Sequence, residues 1–358
     1  MIRIQDIWST ITELLPPALQ ESYDNCGLQV GDPSLPATGV LCCVDITEQV
    51  LQEALQKKCN VIIAHHPLLF KGLKRIGTES YIERCVRFAI RHDLAIYAAH
   101  TNADNADGGL NYLLAEDLGL SQVRSLEPQK GTLMELVTFV PTQYVSRVSE
   151  ALWSADAGKI GAYDSCSYRS EGTGTFRALE GAHPFVGEVG SLHEEQEQRL
   201  SVTFPAYLQA QVERALLSAH PYETPAYSIT SLANLHPRIG AGVIGELAEE
   251  EPIDSFLERI ARYFRTDQLR YSVTPKTHVK CIAICGGAGA FLWSKARRAG
   301  ADILITGEAK YNDYFDCEGA PILATVGHYE SEHIATRLFA QIISQKMPNF
   351  AVYQSELD

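Results

Sequence analysis

Short, wholly apolar runs alternate with amphipathic stretches over roughly the first 120 of 358 residues. Ile2 to Leu15 has helical spacing and stops at Pro16-Pro17, which break helices. Val40 to Val44 reads as a buried strand, and Thr47 can cap a helix over Glu48 to Lys58. Val61 to Ala64 is a second buried strand. A helix near Tyr81 to Arg91 leads to a third, Leu94 to Ala99. Strand–helix–strand alternation predicts a parallel sheet covered by helices.

The rhythm returns after about residue 238. His278 to Cys285 reads as a strand, Gly286-Gly287-Ala288-Gly289 as a turn and Phe291 to Ala299 as a helix. Asp302 to Thr306 and Ile322 to Val326 read as further strands. LCCVDITEQVLQEALQKKCNVIIAHH (41–66) lies over AICGGAGAFLWSKARRAGADILITGE (283–308) without gaps, so that Cys43 meets Cys285 and VIIA meets ILIT. This pattern points to two related α/β halves.

A different pattern separates them. Met134 to Val140 is a strand and Gln143 to Ala155 a helix. Residues alternate around Asp164 to Arg169 and Gly174 to Leu179, and Ser170 to Thr175 is expected to turn a hairpin. Arg199 to Phe204, a helix over Ala206 to Ala219, and Tyr227 to Thr230 complete a β-α-β-β-α-β order. That is the order of a ferredoxin-like α+β unit. The expected division is an α/β body of residues 1–124 plus 236–358, with residues 125–235 inserted.

Composition narrows the function. A net charge of −14 repels a phosphate backbone and suits metal cations, so general nucleic-acid binding is disfavoured. The N-terminus lacks the pattern of a signal peptide, and no apolar run is long enough to span a membrane. The nine cysteines have no paired spacing and read as small buried hydrophobes in a reducing cytoplasm.

Three segments carry candidate chemistry. VIIAHHPLLFKG ends a buried strand in His65 and His66, and Pro67 stops the strand after them. LAIYAAHTNADNADGG delivers His100 and Asp104. ILATVGHYESEH ends a strand at His328, with Glu332 one helical turn further on and His333 on a different face. Ligands of open α/β sheets collect at such carboxyl ends of strands. If the three segments converge, they supply three imidazoles and two carboxylates. A single catalytic zinc normally takes three protein ligands, so five fit two ions better. The alternative is a set of separate structural histidines.

At these residues the chain resembles the Nif-three-like family, also known as GTP cyclohydrolase type-two homologs. SYDNCGLQVGD (22–32), IIAHHPLLFKGLKRI (62–76), AAHTNADNADGGLN (98–111), GAGVIGEL (240–247), ICGGAGAF (284–291), DILITGEAKYND (302–313) and GHYESEH (327–333) carry the resemblance, which spans nearly the whole chain. It implies a dinuclear centre of divalent ions (zinc, iron or manganese) held at His65, His66, Asp104, His328 and Glu332. It also implies a cytoplasmic homohexameric ring of two trimers, and a hydrolase that opens the purine five-membered ring of GTP with loss of formate. The middle segment, with HPYETPAY (220–227), resembles a PII- and CutA-like insertion. Longer members run on past a segment like AVYQSELD.

Other residues keep two readings. His100 either orients Asp104 or a metal-bound water, or makes a structural hydrogen bond. Glu308 overlays His66 in the internal repeat and either reaches the cleft or pairs with Lys310. The CGGAGA loop either packs tightly or cradles phosphate. Lys71 and Lys74 either meet an anionic substrate or are solvated. His220 and Glu223 of HPYETPAY either bond locally or belong to a sensing site. The leading expectation is a metal-dependent hydrolase that activates a metal-bridging water on a small substrate such as a purine nucleotide. The alternative is a non-enzymatic metal-binding scaffold or regulator with a ligand-sensing inserted domain.

Overall fold

The computed structural model describes residues 2–317 and 319–357. In chain order the first strands are β1 (Gly27–Val30), β2 (Val40–Cys43), β3 (Val61–Ala64), β4 (Ala95–Ala98) and β5 (Ser121–Pro128). Then follow β6 (Leu133–Pro141), β7 (Tyr168–Arg177), β8 (Leu192–Pro205) and β9 (Tyr227–Ser231). The last are β10 (Gly240–Pro252), β11 (Arg270–Tyr271), β12 (His278–Cys285), β13 (Ile303–Thr306), β14 (Ile322–Thr325) and β15 (Val352–Gln354).

Two compact units result: Gln129–His236, and the chain on either side of it. The larger unit contains two sheets, ordered β1-β4-β3-β2-β15 and β11-β14-β13-β12-β10-β5. In the first, β2, β3 and β4 are parallel neighbours whose last residues, Cys43, Ala64 and Ala98, lie side by side. In the second, β12, β13 and β14 repeat that arrangement and end at Cys285, Thr306 and Thr325. Every residue of β3 and β13 is buried, which is why both read as unbroken apolar runs rather than alternating ones. Helices cover the sheets. Val50, Leu51 and Ala54 of the helix Glu48–Gln56 and Val86 and Ala89 of Tyr81–Arg91 pack on Leu41, Ile62 and Ile96. Full burial of each large aliphatic side chain contributes roughly 1.5–3 kcal/mol. The helices start where their caps predict: Thr47 accepts from the Val50 amide and Ser80 from the Glu83 amide.

β5 pairs with β10, so this strand belongs to the larger unit up to Pro128. The smaller unit has the order β-α-β-β-α-β, with an antiparallel sheet ordered β7-β8-β6-β9. Its helices, Val145–Ser154 and Gln209–Ala219, bury Val148, Leu152, Val212 and Leu216 against Leu136, Leu200, Val202 and Phe204. One expectation fails here. Ser170 to Thr175 is not a turn, because β7 runs straight through it and pairs with β8 along its whole length. Gly174 serves packing instead: a Cβ there would sit 2.1 Å from Glu197 Oε2. The connection falls later, between Arg177 and Leu192. Among the described residues no helix is long and apolar enough to cross a membrane.

Candidate metal centre

Residues that leave β3, β4 and β14 meet in the larger unit. Past Ala64 the backbone stays laddered to the end of β2, with the His65 amide on the Cys43 carbonyl (3.0 Å) and the His66 amide on that of Val44 (2.9 Å). Both residues lie past the end of β3, where the backbone bends, so the two rings converge, with centroids 5.1 Å apart. Glu332 links them. Its Oε1 lies 3.5 Å from His65 Nε2, and its Oε2 lies 2.9 Å from His66 Nε2. Glu332 and His328 share one short helix, His328–Glu332, and their i,i+4 spacing brings His328 Nε2 to 3.1 Å from the same Oε2. Asp104, from the helix Thr101–Asn105 after β4, places Oδ1 3.9 Å from His65 Nε2. All five residues expected from the sequence are therefore joined by these contacts. Ligand atoms of His66, His328 and Glu332 lie within 4.8 Å of one another, as do those of His65, His66 and His100. The cluster is compatible with metal binding. His100 stands within it, nearer than a supporting role requires.

The outward nitrogen of each ring has a partner of its own. His65 Nδ1 donates to the Ala99 carbonyl (3.0 Å). His66 Nδ1 faces Asp45 Oδ1 (2.9 Å) and His100 Nδ1 faces Asp24 Oδ1 (2.8 Å). His328 Nδ1 lies 3.4 Å from Glu308 Oε2. A ring that donates through Nδ1 presents a bare lone pair at Nε2, the state a metal ligand needs. Asp24 is held in turn by the amide and hydroxyl of Thr101. His65 Nε2, Asp104 Oδ1 and Glu332 Oε2 are buried and lack a directed hydrogen bond among the described residues. Buried acceptors without donors are costly, and several converging on one point suit a cation.

Without an ion the cluster must share protons. Burial raises the pKa of Asp104, whereas Glu332 is held low despite its burial by the facing imidazoles of His65, His328 and His66. Burial works against charge on His66, yet Asp45 and Glu332 outweigh it and raise its pKa to about 10. His65 and His328 are raised by their carboxylate neighbours as well. Burial keeps the nearby Cys285 thiol protonated, with the carboxylates of Asp104 and Glu332 adding to the effect.

The glycine loop after β12 packs against the site. The Gly286, Gly287 and Gly289 amides donate to Asn111 Oδ1, Ser331 Oγ and Thr306 Oγ1 at 2.9, 2.9 and 2.8 Å, so they are not open to phosphate. Gly287 has φ +59°, and a Cβ there would meet Glu332 Oε1 at 2.2 Å. Glu308 approaches His328, while the Lys310 amide bonds Asp313, and no Glu308–Lys310 ion pair occurs among the described residues. Lys71 and Lys74 are both exposed on the segment after the His pair. Sequence reasoning assigned no role to Asp24 or Asp45. Asp45 follows β2 just as His66 follows β3, so the strand-end argument could have found it. Asp24 leaves no such signal. At the mouth, exposed Phe70 lies 6.2 Å from His100 and 6.5 Å from exposed Tyr23, ring to ring.

The sequence profile described as Duf34/NIF3 (NGG1p interacting factor 3) matches residues 2–358. A Bacillus subtilis protein named "GTP cyclohydrolase 1 type 2 homolog" is 35% identical over 359 residues, covering 99% of this chain and 96% of its own. The crystal structure of a Bacillus cereus protein related to NIF3 superposes with a TM-score of 0.87 at 35% identity, covering 100% of this chain and 97% of that one. A Staphylococcus aureus protein superposes at 0.75 with 27% identity, covering 100% and 97%.

Proposed function

The chain belongs to the Duf34/NIF3 family, and from that premise we propose that it is a hydrolase dependent on two divalent ions. His65, His66, Asp104, His328 and Glu332 would hold the ions, with His100 completing the set. The observation that carries this reading is the convergence of buried His65 Nε2, Asp104 Oδ1 and Glu332 Oε2, which lack a directed hydrogen bond among the described residues, beside rings whose other nitrogens are tied back. So many donors exceed what one zinc takes, and imidazole with carboxylate suits zinc, iron or manganese. Two such ions would supply Lewis acidity and a water acidified toward neutrality.

The chain's own groups supply the rest. Glu332 keeps one oxygen on each side of the cluster, and Asp24 and Asp45 fix the ring orientations of His100 and His66. Glu308 is the exposed carboxylate at the mouth, within 3.4 Å of His328, and is placed to take or return a proton there. Phe70 and Tyr23 offer exposed rings beside His100 against which a planar substrate could stack. The relatives' name extends this to a purine nucleotide. The test is a panel of nucleotides and phosphoesters incubated with metal-loaded protein. Turnover that disappears in the His65→Ala/His66→Ala variant supports the hydrolase. Intact metal content without turnover on any member favours the second reading, a scaffold or regulator.

That second reading draws on the smaller unit, which we take to be a PII- or CutA-like insertion because of its strand and helix order. In HPYETPAY, His220 accepts locally from the Tyr222 amide at 3.1 Å and reaches across to the Phe139 carbonyl of β6 at 3.0 Å. The proposal includes a hexameric assembly in the cytoplasm. Exposed Phe291, Tyr311 and Phe315 are side chains that an oligomer could cover, and sedimentation of the intact protein tests it.

A further inference from the structure

The helices of Gln129–His236 cover one face of its sheet. On the other face lies a cleft of about 650 Å³, within the size range of small-ligand sites. Register sets Arg199 of β8 between Phe139 of β6 and Ser170 of β7, and Glu197 beside Gly172, all on this face. Phe139, Phe176, Phe185 and Tyr222 form aromatic walls. The Tyr222 ring lies 6.1 Å from Phe176 and 6.3 Å from Phe185. The His183 amide donates to Glu223 Oε2 (2.9 Å), which ties the loop carrying Phe185 to the segment carrying Tyr222.

Four charged groups line this cleft, Glu171, Glu197, Arg199 and Glu223, and Glu197 and Arg199 stand two apart on β8. Glu197 is only 8% exposed, and its Oε1 accepts the Tyr222 hydroxyl at 2.7 Å. Arg199 has no carboxylate within ion-pair distance among the described residues. A plain anion would meet Glu197, with Glu171 and Glu223 also lining the cleft, and a plain cation would meet Arg199. Residues two apart on one strand face are separated by roughly 6.6 Å. That gap accepts an ammonium on one side and a carboxylate on the other when both belong to one carbon. We infer that this cleft binds a free α-amino acid with an aromatic side chain. Its ammonium meets Glu197, its carboxylate takes the fork of Arg199, and its ring lies among the aromatic walls.

Gly172 makes the inference testable without disturbing the fold. A Cβ there meets nothing within 4 Å, its φ is not in the left-handed region, and the residue lines the cleft. Gly172→Val therefore fills the site with a residue that strands favour. The experiment is calorimetric titration of the full-length protein with L-phenylalanine, 3-phenylpropanoate and 2-phenylethylamine. The expected result is one site per chain, with L-phenylalanine bound at least tenfold tighter than either one-poled analogue. Arg199→Met should lower L-phenylalanine affinity at least tenfold and leave 2-phenylethylamine unchanged. Gly172→Val should abolish binding of all three, with circular dichroism and metal content as in the unaltered protein. L-phenylalanine that binds no better than its analogues, or not at all at millimolar concentration, overturns the inference. So does undiminished binding to Gly172→Val.

Discussion

Gly287→Ala probes the metal centre without touching a ligand. The added Cβ would sit 2.2 Å from Glu332 Oε1 and 3.4 Å from His328 Nε2. The first distance is far inside contact, so the carboxylate must move, and it is the group that reaches both His65 and His66. The backbone term is separate. At φ +59° an L side chain costs about 1–2 kcal/mol, which lowers Tm by roughly 2–8 °C in a domain of this size. Gly300→Ala isolates that term, because Gly300 has φ +83° and nothing within 4 Å of an added Cβ. Gly287→Ala should therefore lose at least as much stability as Gly300→Ala, the excess being the cost of moving Glu332. Only Gly287→Ala should also lose metal affinity, by more than about 100-fold, since partners of ligands alone are worth roughly 10–100-fold. Competition against a chelator of known affinity, beside thermal unfolding in excess chelator, separates the two effects. If Gly287→Ala binds metal as tightly as Gly300→Ala, the placement of Glu332 at the heart of the centre is wrong.

Asp45→Ala frees the His66 ring and should weaken metal binding about 10–100-fold, as chelator competition will show. Because the metal-free His66 pKa is raised to about 10, uptake of an ion near neutral pH must expel a proton. Titration heats in buffers of different ionisation enthalpy should differ accordingly, and affinity should climb with pH up to about 10. Asp302 is partly buried, but Lys276 and the Cys281 and Lys280 amides hold its pKa below the usual range. Its folded value lies below the unfolded one, so its stabilisation is complete above about pH 4 and is lost as pH falls through the lowered value. Asp302→Asn should lower Tm near neutrality and flatten its decline in acid.

What the sequence discloses depends on how local the cause is. β3 and β13 are legible because burial on both faces demands VIIA and ILIT whatever surrounds them. β10 escapes detection because it begins in glycines and ends in AEEEP, and its place is set by pairing with β5 and β12. β7 misleads because Gly172 and Gly174 resemble turn residues, while in the fold one leaves room for Glu197 and the other opens a cleft. The candidate site shows the same divide. Strand ends name His65, His66, His100 and His328. That Glu332 reaches both His65 and His66, and that Asp24 reaches across 76 residues to hold His100, depends on tertiary placement alone. The glycine loop illustrates a shared signature with two causes: close approach to Glu332 and close approach to phosphate both require missing side chains.

The metal content of protein purified without affinity metals, compared with the His65→Ala/His66→Ala variant, tests the dinuclear centre. Two divalent ions per chain are expected in the first. None is expected in the second, with secondary structure unchanged. Full occupancy in the double variant, or an unaltered protein that takes up no ion, would contradict the dinuclear centre.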